Sequence, residues 1–343
     1  MSYTVQISQY DAPITVELGQ TILEAALTQG VPYPHGCRSG NCGACKSKLI
    51  AGEVEMLPHS EYALSADERI NNLVLACRSV PWEDVQIAWL NEEDIVAHPL
   101  RNMVCQVKTL SELTHDIKQV RLEIISGGPF NFSAGQYASL TIDSLPSRDY
   151  SMANLPEEPV IEFHIRHIVD GITSTYVQDH LVEGDRVLVK GPYGSSWLRE
   201  SQHTPIIALA GGSGLAPIKS IVGEALGKGM PQDIYLYFGI RDERDIYLES
   251  TFLDLAKRYS NLRFIPVLSE PSADTSRRTG YLHEAVITDF EKLDNGKAYL
   301  AGPPPMIEAA TNMLLTLGLG RENIHADAFY TEAEKMKLEN QDD

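Results

Sequence analysis

The chain has 343 residues, 43% of them apolar, and 47 acidic against 28 basic side chains leave it at −19. That length exceeds one ordinary core and suits domains of roughly 100 to 150 residues, so three are expected. So acidic a surface repels nucleic acid and anionic lipid. No apolar run nears the roughly 18 residues of a membrane span, and the start MSYTVQISQYDAP lacks a basic or apolar leader. The expectation is a cytoplasmic protein that binds neither nucleic acid nor membrane. Five cysteines without a secretion signal oppose a disulfide framework and favour metal or redox use.

In chain order, YTVQI and PITVEL alternate as a hairpin, TILEAALTQG reads as a short helix closed by Gly30, and SKLIAGEVEM reads as a second hairpin. Between them stands HGCRSGNCGAC, with Cys37, Cys42 and Cys45 at C-x4-C-x2-C and a fourth thiol, Cys77, in LVLACRSV. This is the spacing of plant-type [2Fe-2S] proteins. Gly36, Gly40 and Gly43 let the loop fold back and aim amide N–H groups at sulfur. Structural zinc usually shows two C-x2-C pairs, and a Rieske centre needs two histidines where only His35 is near. His35 is read as a loop residue and Cys105 as a small buried hydrophobe. The stretches CRSGNCGAC and LACRS resemble plant-type ferredoxins over about residues 3–92, which implies a β-grasp domain over 1–93.

The polar segment around 94–100 reads as a linker. The runs MVCQVKTL, IKQVRLEII, GQYASLTI, PVIEFHIRHI and DRVLVKGPYG then suggest a six-stranded antiparallel barrel over 101–200. Arg148-Asp149-Tyr150-Ser151 resembles the R-x-Y-S of flavin domains in the ferredoxin reductase family. The resemblance implies that Arg148 pairs with flavin phosphate, Tyr150 lies against the isoalloxazine and Ser151 sits near flavin N5. Each role suits its group: a guanidinium forks onto phosphate, a ring stacks, and a hydroxyl donates or accepts. Further on, His164-Ile165-Arg166, within the EFHIR stretch and read as cofactor-binding, precedes Gly171, Thr173 and Ser174, which open a helix. A glycine followed by Ser or Thr at a helix start offers free N–H groups to a pyrophosphate, although an ordinary capped helix begins the same way. The pyrophosphate site favours FAD over FMN.

From residue 203 strand and helix alternate, as in a doubly wound parallel sheet over 201–330. Gly211-Gly212-Ser213-Gly214-Leu215-Ala216-Pro217 is not the G-x-G-x-x-G fingerprint, yet its glycines also let backbone approach a pyrophosphate, and Pro217 is suited to starting the helix. This loop, YFGIRDERDIY and LAGPPPM (Gly302, Pro303, Met306) resemble the pyridine-nucleotide half of the same family. Arg241 could meet a 2′-phosphate, but Asp242, Glu243 and Asp245 would repel one and could accept from ribose hydroxyls, favouring NADH. Ala301 stands where many relatives carry a cysteine. In IHADAFY, Phe329 resembles the family's terminal aromatic, implying a ring that covers the flavin. Residues 331–343 read as an acidic tail.

Taken whole, through THDI, GQYASL, SRDYSMANLP, EFHIR and ADAFY, the chain resembles reductase components of bacterial multicomponent oxygenases, of the naphthalene dioxygenase reductase type. The resemblance implies a [2Fe-2S] cluster, FAD and NADH, catalytic roles for Tyr150, Ser151 and Phe329, and a terminal oxygenase or intermediate ferredoxin as partner. The chemistry agrees, because NADH surrenders a hydride, a cluster takes single electrons and a flavin handles both. Plant-type clusters near about −400 mV lie below Rieske acceptors at roughly −150 to +300 mV, so electrons leave through the ferredoxin. Twelve acids against five bases leave residues 1–93 at −7, suited to a basic docking patch. The same architecture would serve diiron hydroxylases, a deoxysugar dehydratase system or a slow redox sensor.

Overall fold

The structure, a computed structural model, describes residues 2–61, 63–90, 98–201 and 203–334. The expected linker at 94–100 and tail at 331–343 lie largely outside them. Two compact units form, one of Met1–Pro99 joined by Tyr193–Ser195, the other of Leu100–Pro192 with Ser196–Phe329.

In the first unit, β1 (Ser2–Ile7) and β2 (Ile14–Glu17) make the expected hairpin, with Ser2 opposite Glu17. Helix α1 (Ile22–Thr28) starts where the Thr21 hydroxyl accepts the Glu24 amide, and it buries Ile22, Leu23, Ala25 and Ala26. There follow β3 (Lys46–Ala51), β4 (Val54–Met56), α2 (Ala66–Ile70), β5 (Leu73–Leu75), β6 (Ser79–Pro81) and β7 (Val85–Trp89). The five-stranded sheet runs β2-β1-β7-β3-β5, with β1 and β7 parallel. SKLIAGEVEM is not the hairpin its pattern suggests. Strand β3 pairs with β5 and β7, while β4 pairs with β6 in a separate ribbon. The chain leaves the sheet at Gly52, whose φ of 89° a side chain rarely adopts.

The second unit opens with the barrel: β8 (Arg101–Glu112), β9 (Ile117–Ser126), β10 (Tyr137–Ile142), β11 (Arg148–Ser151), β12 (Val160–Arg166), α3 (Ile172–Asp179) and β13 (Arg186–Tyr193). Its six strands run β11-β10-β13-β8-β9-β12, and an antiparallel bridge from Met152 to Phe163 brings the two edges together. Alternation sets the core: Val187 and Val189 of β13 are buried while Leu188 is exposed. Cys105 is fully buried here and its thiol is pushed up to about 12 by burial.

The nucleotide portion comprises β14 (Ile206–Gly211), α4 (Leu215–Gly227), β15 (Ile234–Ile240), α5 (Glu249–Arg258), β16 (Leu262–Leu268), β17 (Arg278–Thr279), α6 (Leu282–Asp289), β18 (Lys297–Gly302), α7 (Pro304–Thr316) and β19 (Ile324–Ala328). The sheet runs β17-β16-β15-β14-β18-β19 and its pairings are parallel. Every residue of β14 is buried, because helices cover both faces of the sheet. Helix α4 buries Leu215, Ile218, Ile221, Val222 and Ala225 at helical spacing, each large aliphatic contributing about 1.5–3 kcal/mol. The helix begins at Leu215, not at Pro217 as expected. Pro217 sits in the first turn, where its missing N–H leaves no intrahelical bond unmade. Ile117, Ala134 and Leu198 of the barrel portion share one core with α4, which is why barrel and nucleotide sheet form one unit.

Candidate functional site: a thiol loop and a dinucleotide cleft

Cys37, Cys42 and Cys45 lie on the loop between α1 and β3, and Cys77 lies between β5 and β6. The loop turns through Gly40 and Gly43 at φ of 80° and 76°, and a Cβ on Gly36 would meet Cys42 Sγ at 2.7 Å. Backbone amides are aimed at sulfur: Asn41 N donates to Cys37 Sγ at 3.2 Å and Cys37 N to Cys42 Sγ at 3.2 Å. The thiols associate as Cys37 with Cys42 and Cys45 with Cys77. The hydrogen bond from Cys42 holds Cys37 at about 5, and the same pairing, followed by burial, pushes Cys42 up. Four convergent sulfurs, N–H donors on thiolate and no room for a side chain at Gly36 fit a [2Fe-2S] cluster. His35 is buried; its Nδ1–H donates to the Tyr33 carbonyl at 2.8 Å and its Nε2 accepts the Gly194 amide at 3.3 Å, a long-range tie beyond the loop role expected of it.

Arg148, Tyr150 and Ser151 share β11, and Tyr137 and Ala138 of β10 pair with Ser151 and Tyr150. Burial pushes the Tyr150 phenol up to about 12, so it stays neutral. The Thr173 hydroxyl donates to the Pro146 carbonyl at 2.9 Å, tying the start of α3 to the approach of the R-D-Y-S strand. The Ser174 hydroxyl accepts the Ile168 amide at 3.1 Å and donates to the Gly171 carbonyl at 3.1 Å. Both hydroxyls are therefore spent on backbone carbonyls, Pro146 for Thr173 and Gly171 for Ser174, and what the helix start offers an anion is its backbone N–H groups.

The His164 side chain is engaged by protein rather than turned to open space. Its ring is buried, with Nε2 at 2.8 Å from Glu162 Oε1 and Nδ1 at 3.2 Å from the Tyr247 hydroxyl, while Lys219 Nζ donates to Glu162 Oε1 at 2.9 Å. Both imidazole nitrogens are taken, so this side chain is a strut between barrel and nucleotide portions. Ile165 lies in the barrel core. Burial alone would push Glu162 up, yet its His164 hydrogen bond and the Lys219 charge hold it at about 2. Burial holds His164 below its usual range.

A cleft of about 210 Å³ opens at the carboxyl ends of β14 and β15, lined by Gly211, Gly212, Gly239, Pro303 and Met306 together with Asp116, Arg166, Arg241 and Asp245. That is where a parallel sheet binds ligands. Small residues are forced here: a Cβ on Gly214 would lie 2.0 Å from the Ala301 carbonyl oxygen, and one on Gly211 2.5 Å from Met306 Sδ. Ala216 and Pro217 are buried in α4, and Gly302 at φ of 148° packs against Gly211. Ser213, Gly214 and Gly302 shape the loop without lining the cleft. The acids expected at ribose are engaged by protein. Asp242 Oδ1 accepts the Glu243 and Ser272 amides at 2.8 and 3.1 Å, Glu243 pairs with Arg277, and Asp245 with Arg241.

At the far end of the sheet, the Ser151 hydroxyl donates to Asp327 Oδ2 at 3.0 Å, and the Phe329 amide to the Gly302 carbonyl at 2.9 Å. Ala301 is buried and opposite Asp327 in the β18–β19 register. The R-D-Y-S strand, the glycine loop and the terminal aromatic thus share one locus. Sequence reasoning passed over Asp116, Glu162, Lys219, Tyr247 and Asp327. A carboxylate inside the apolar run PVIEFHI was the available signal for Glu162.

Three family matches cover most of the chain: a 2Fe-2S iron-sulfur cluster binding domain over 5–81, an oxidoreductase FAD-binding domain over 104–197 and an oxidoreductase NAD-binding domain over 208–312. The ferredoxin–NAD(P)+ reductase component of naphthalene 1,2-dioxygenase/salicylate 5-hydroxylase systems from a Ralstonia species is 38% identical, across 92% of this chain and 95% of its own length. The phenol hydroxylase P5 protein of Acinetobacter pittii (strain PHEA-2) is also 38% identical, across 97% and 96%. The crystal structure of an Amycolatopsis cytochrome P450 reductase, GcoB, superposes with a TM-score of 0.81 at 33% identity, across 95% of this chain and 98% of that one.

Proposed function

The chain belongs to the family of flavin- and iron-sulfur-containing reductase components of oxygenase systems, and on that footing we propose how its residues share the work of carrying electrons from NADH to an oxygenase component. When bound, FAD accepts a hydride and passes electrons singly to the [2Fe-2S] cluster. Cys37, Cys42, Cys45 and Cys77 hold the cluster. Residues 1–93 act as the ferredoxin, 101–200 as the FAD barrel and 201–330 as the NAD domain. Arg148 and the amides opening α3 take the FAD phosphates, Tyr150 backs the ring, and Ser151 holds a hydroxyl where a proton can be exchanged with the ring's edge. Gly211, Gly212, Arg166 and Arg241 receive NADH, and Phe329 covers the flavin when nicotinamide is absent.

The observation that carries this reading is the Ser151–Asp327 hydrogen bond, which joins the flavin strand of the barrel to the last strand of the nucleotide sheet. The acceptor proposed is the terminal oxygenase or an intermediate ferredoxin, reached from the acidic first 93 residues. No described helix is long and apolar enough to cross a membrane. The test is an anaerobic NADH titration followed by absorbance and electron paramagnetic resonance. Complete reduction should consume roughly one and a half equivalents, two electrons for the flavin and one for the cluster. Bleaching of the flavin with no paramagnetic cluster signal would refute the reading.

A further inference from the structure

Two arginines line the cleft from different sheets, Arg166 at the end of β12 and Arg241 after β15. One carboxylate holds both. Asp116 Oδ2 accepts from Arg166 Nε at 2.9 Å and from Arg241 Nη2 at 3.3 Å. Asp116 is itself pinned, because its Oδ1 accepts from the Thr114 hydroxyl at 2.9 Å, its amide donates to Thr114 Oγ1 at 3.2 Å, and its carbonyl accepts the His167 amide at 2.8 Å. On its far side Arg241 is gripped by Asp245 through Nε at 2.9 Å and Nη2 at 3.2 Å. His115 is the other titratable neighbour, 3.9 Å from Asp116 and 3.7 Å from Asp245.

These bonds use one edge of each guanidinium. Among the described residues neither terminal nitrogen of Arg166 has a hydrogen-bond partner, and neither does Nη1 of Arg241. Arg166 Nη1 lies only 3.3 Å from where a Cβ on Gly212 would stand, at the loop whose glycines open the cleft. A planar fork held at one edge presents its remaining donors in fixed directions, which is what bidentate capture of phosphate oxygens requires.

We propose that Asp116, on the barrel turn Thr114–Asp116, is a positioning residue for the coenzyme: it holds Arg166 and Arg241 as a preset pair of forks for the diphosphate of NADH. The inference rests on the placement of NADH in this cleft proposed above. It fixes the sign of an effect that charge alone would reverse. Removing a negative charge beside an anion site strengthens anion binding if the carboxylate only repels, and weakens it if the carboxylate orients the cations.

The test uses the full-length holoprotein and steady-state reduction of ferricyanide. Asp116→Asn keeps size and the Thr114 contact, and it should raise KM for NADH about tenfold, the loss falling on KM rather than kcat. Reduced nicotinamide riboside, which carries no phosphate, should show no such rise, a distinction that general loosening of the fold would not produce. In the Arg166→Ala/Arg241→Ala background, Asp116→Asn should add nothing further. An unchanged or lower KM for NADH in Asp116→Asn, or full additivity with the arginine changes, overturns the positioning role. Unaltered KM in the double arginine variant itself overturns the placement of NADH in this cleft.

Discussion

Ser151 on β11 and Asp327 on β19, 176 positions apart, are joined by a hydroxyl-to-carboxylate hydrogen bond of 3.0 Å. The bond orients the hydroxyl hydrogen toward Asp327, so in the role proposed for Ser151 its oxygen would meet the ring edge through a lone pair. Ser151→Ala and Asp327→Asn should each slow flavin reduction by NADH about 10- to 100-fold, with little change in coenzyme affinity. Stopped-flow absorbance at the flavin band measures both quantities, and wild-type rates in both variants would remove Ser151 from the chemistry.

The thiol loop and the dinucleotide cleft are separate chemistries. Cys77→Ser takes one sulfur from the set of four and should leave NADH-driven flavin reduction largely intact while abolishing cluster-dependent reduction of cytochrome c. Equal loss of both activities would contradict the division of labour.

Glu162 carries a pH signature. Burial raises its carboxyl, but the His164 hydrogen bond and Lys219 outweigh burial and hold it at about 2. A carboxyl depressed in the fold contributes stability above its unfolded value and loses it as pH falls toward its folded one. The contribution, on the order of 3 kcal/mol by the size of the shift, should therefore drain away from about pH 4.5 toward 2. Burial also lowers His164, which acts in the same direction from about pH 6.5 downward. Denaturant unfolding of the full chain from pH 5.5 to 3.5 should show the decline, and Glu162→Gln should flatten it. A parallel decline in that variant would assign the effect elsewhere.

Packing at the glycine loop has a direct test. A methyl group at Gly214, the residue that caps α4, would overlap the Ala301 carbonyl, whereas nothing lies within 4 Å of one at Gly227, the last residue of that helix. Gly214→Ala should cost at least about 3 kcal/mol and lower the melting temperature by about 6–12 °C. Gly227→Ala should be neutral or slightly stabilising, since alanine is the better helix former. Similar melting temperatures would show that the loop yields.

The first 93 residues carry −7. If they dock on a basic acceptor surface, electron transfer to the native acceptor should slow as salt rises from about 0.05 to 0.3 M, while ferricyanide reduction changes little. Insensitivity to salt would remove the electrostatic account of docking.

Much of this was readable along the chain because the signals are local. The spacing of Cys37, Cys42 and Cys45, the alternation in β13 and the buried run of β14 each report their own surroundings within a dozen residues. The errors arose where a local pattern met a distant partner. SKLIAGEVEM alternates like a hairpin, yet β3 found better partners in β5 and β7. The side-chain partners of His164, Glu162 and Tyr247, were likewise not legible from the motif around it.

By itself the sequence determined the cluster motif and the order of the modules, because thiol spacing and strand periodicity are properties of neighbouring residues, and its resemblance to the ferredoxin reductase family implied FAD and NADH. Only the tertiary structure decided which charged groups meet: Ser151 with Asp327, Glu162 with Lys219, and Asp116 with two arginines from different sheets. Pairing of that kind depends on where whole sheets come to rest, and a carboxylate's sequence neighbours carry no record of the cation that will stand 3 Å away.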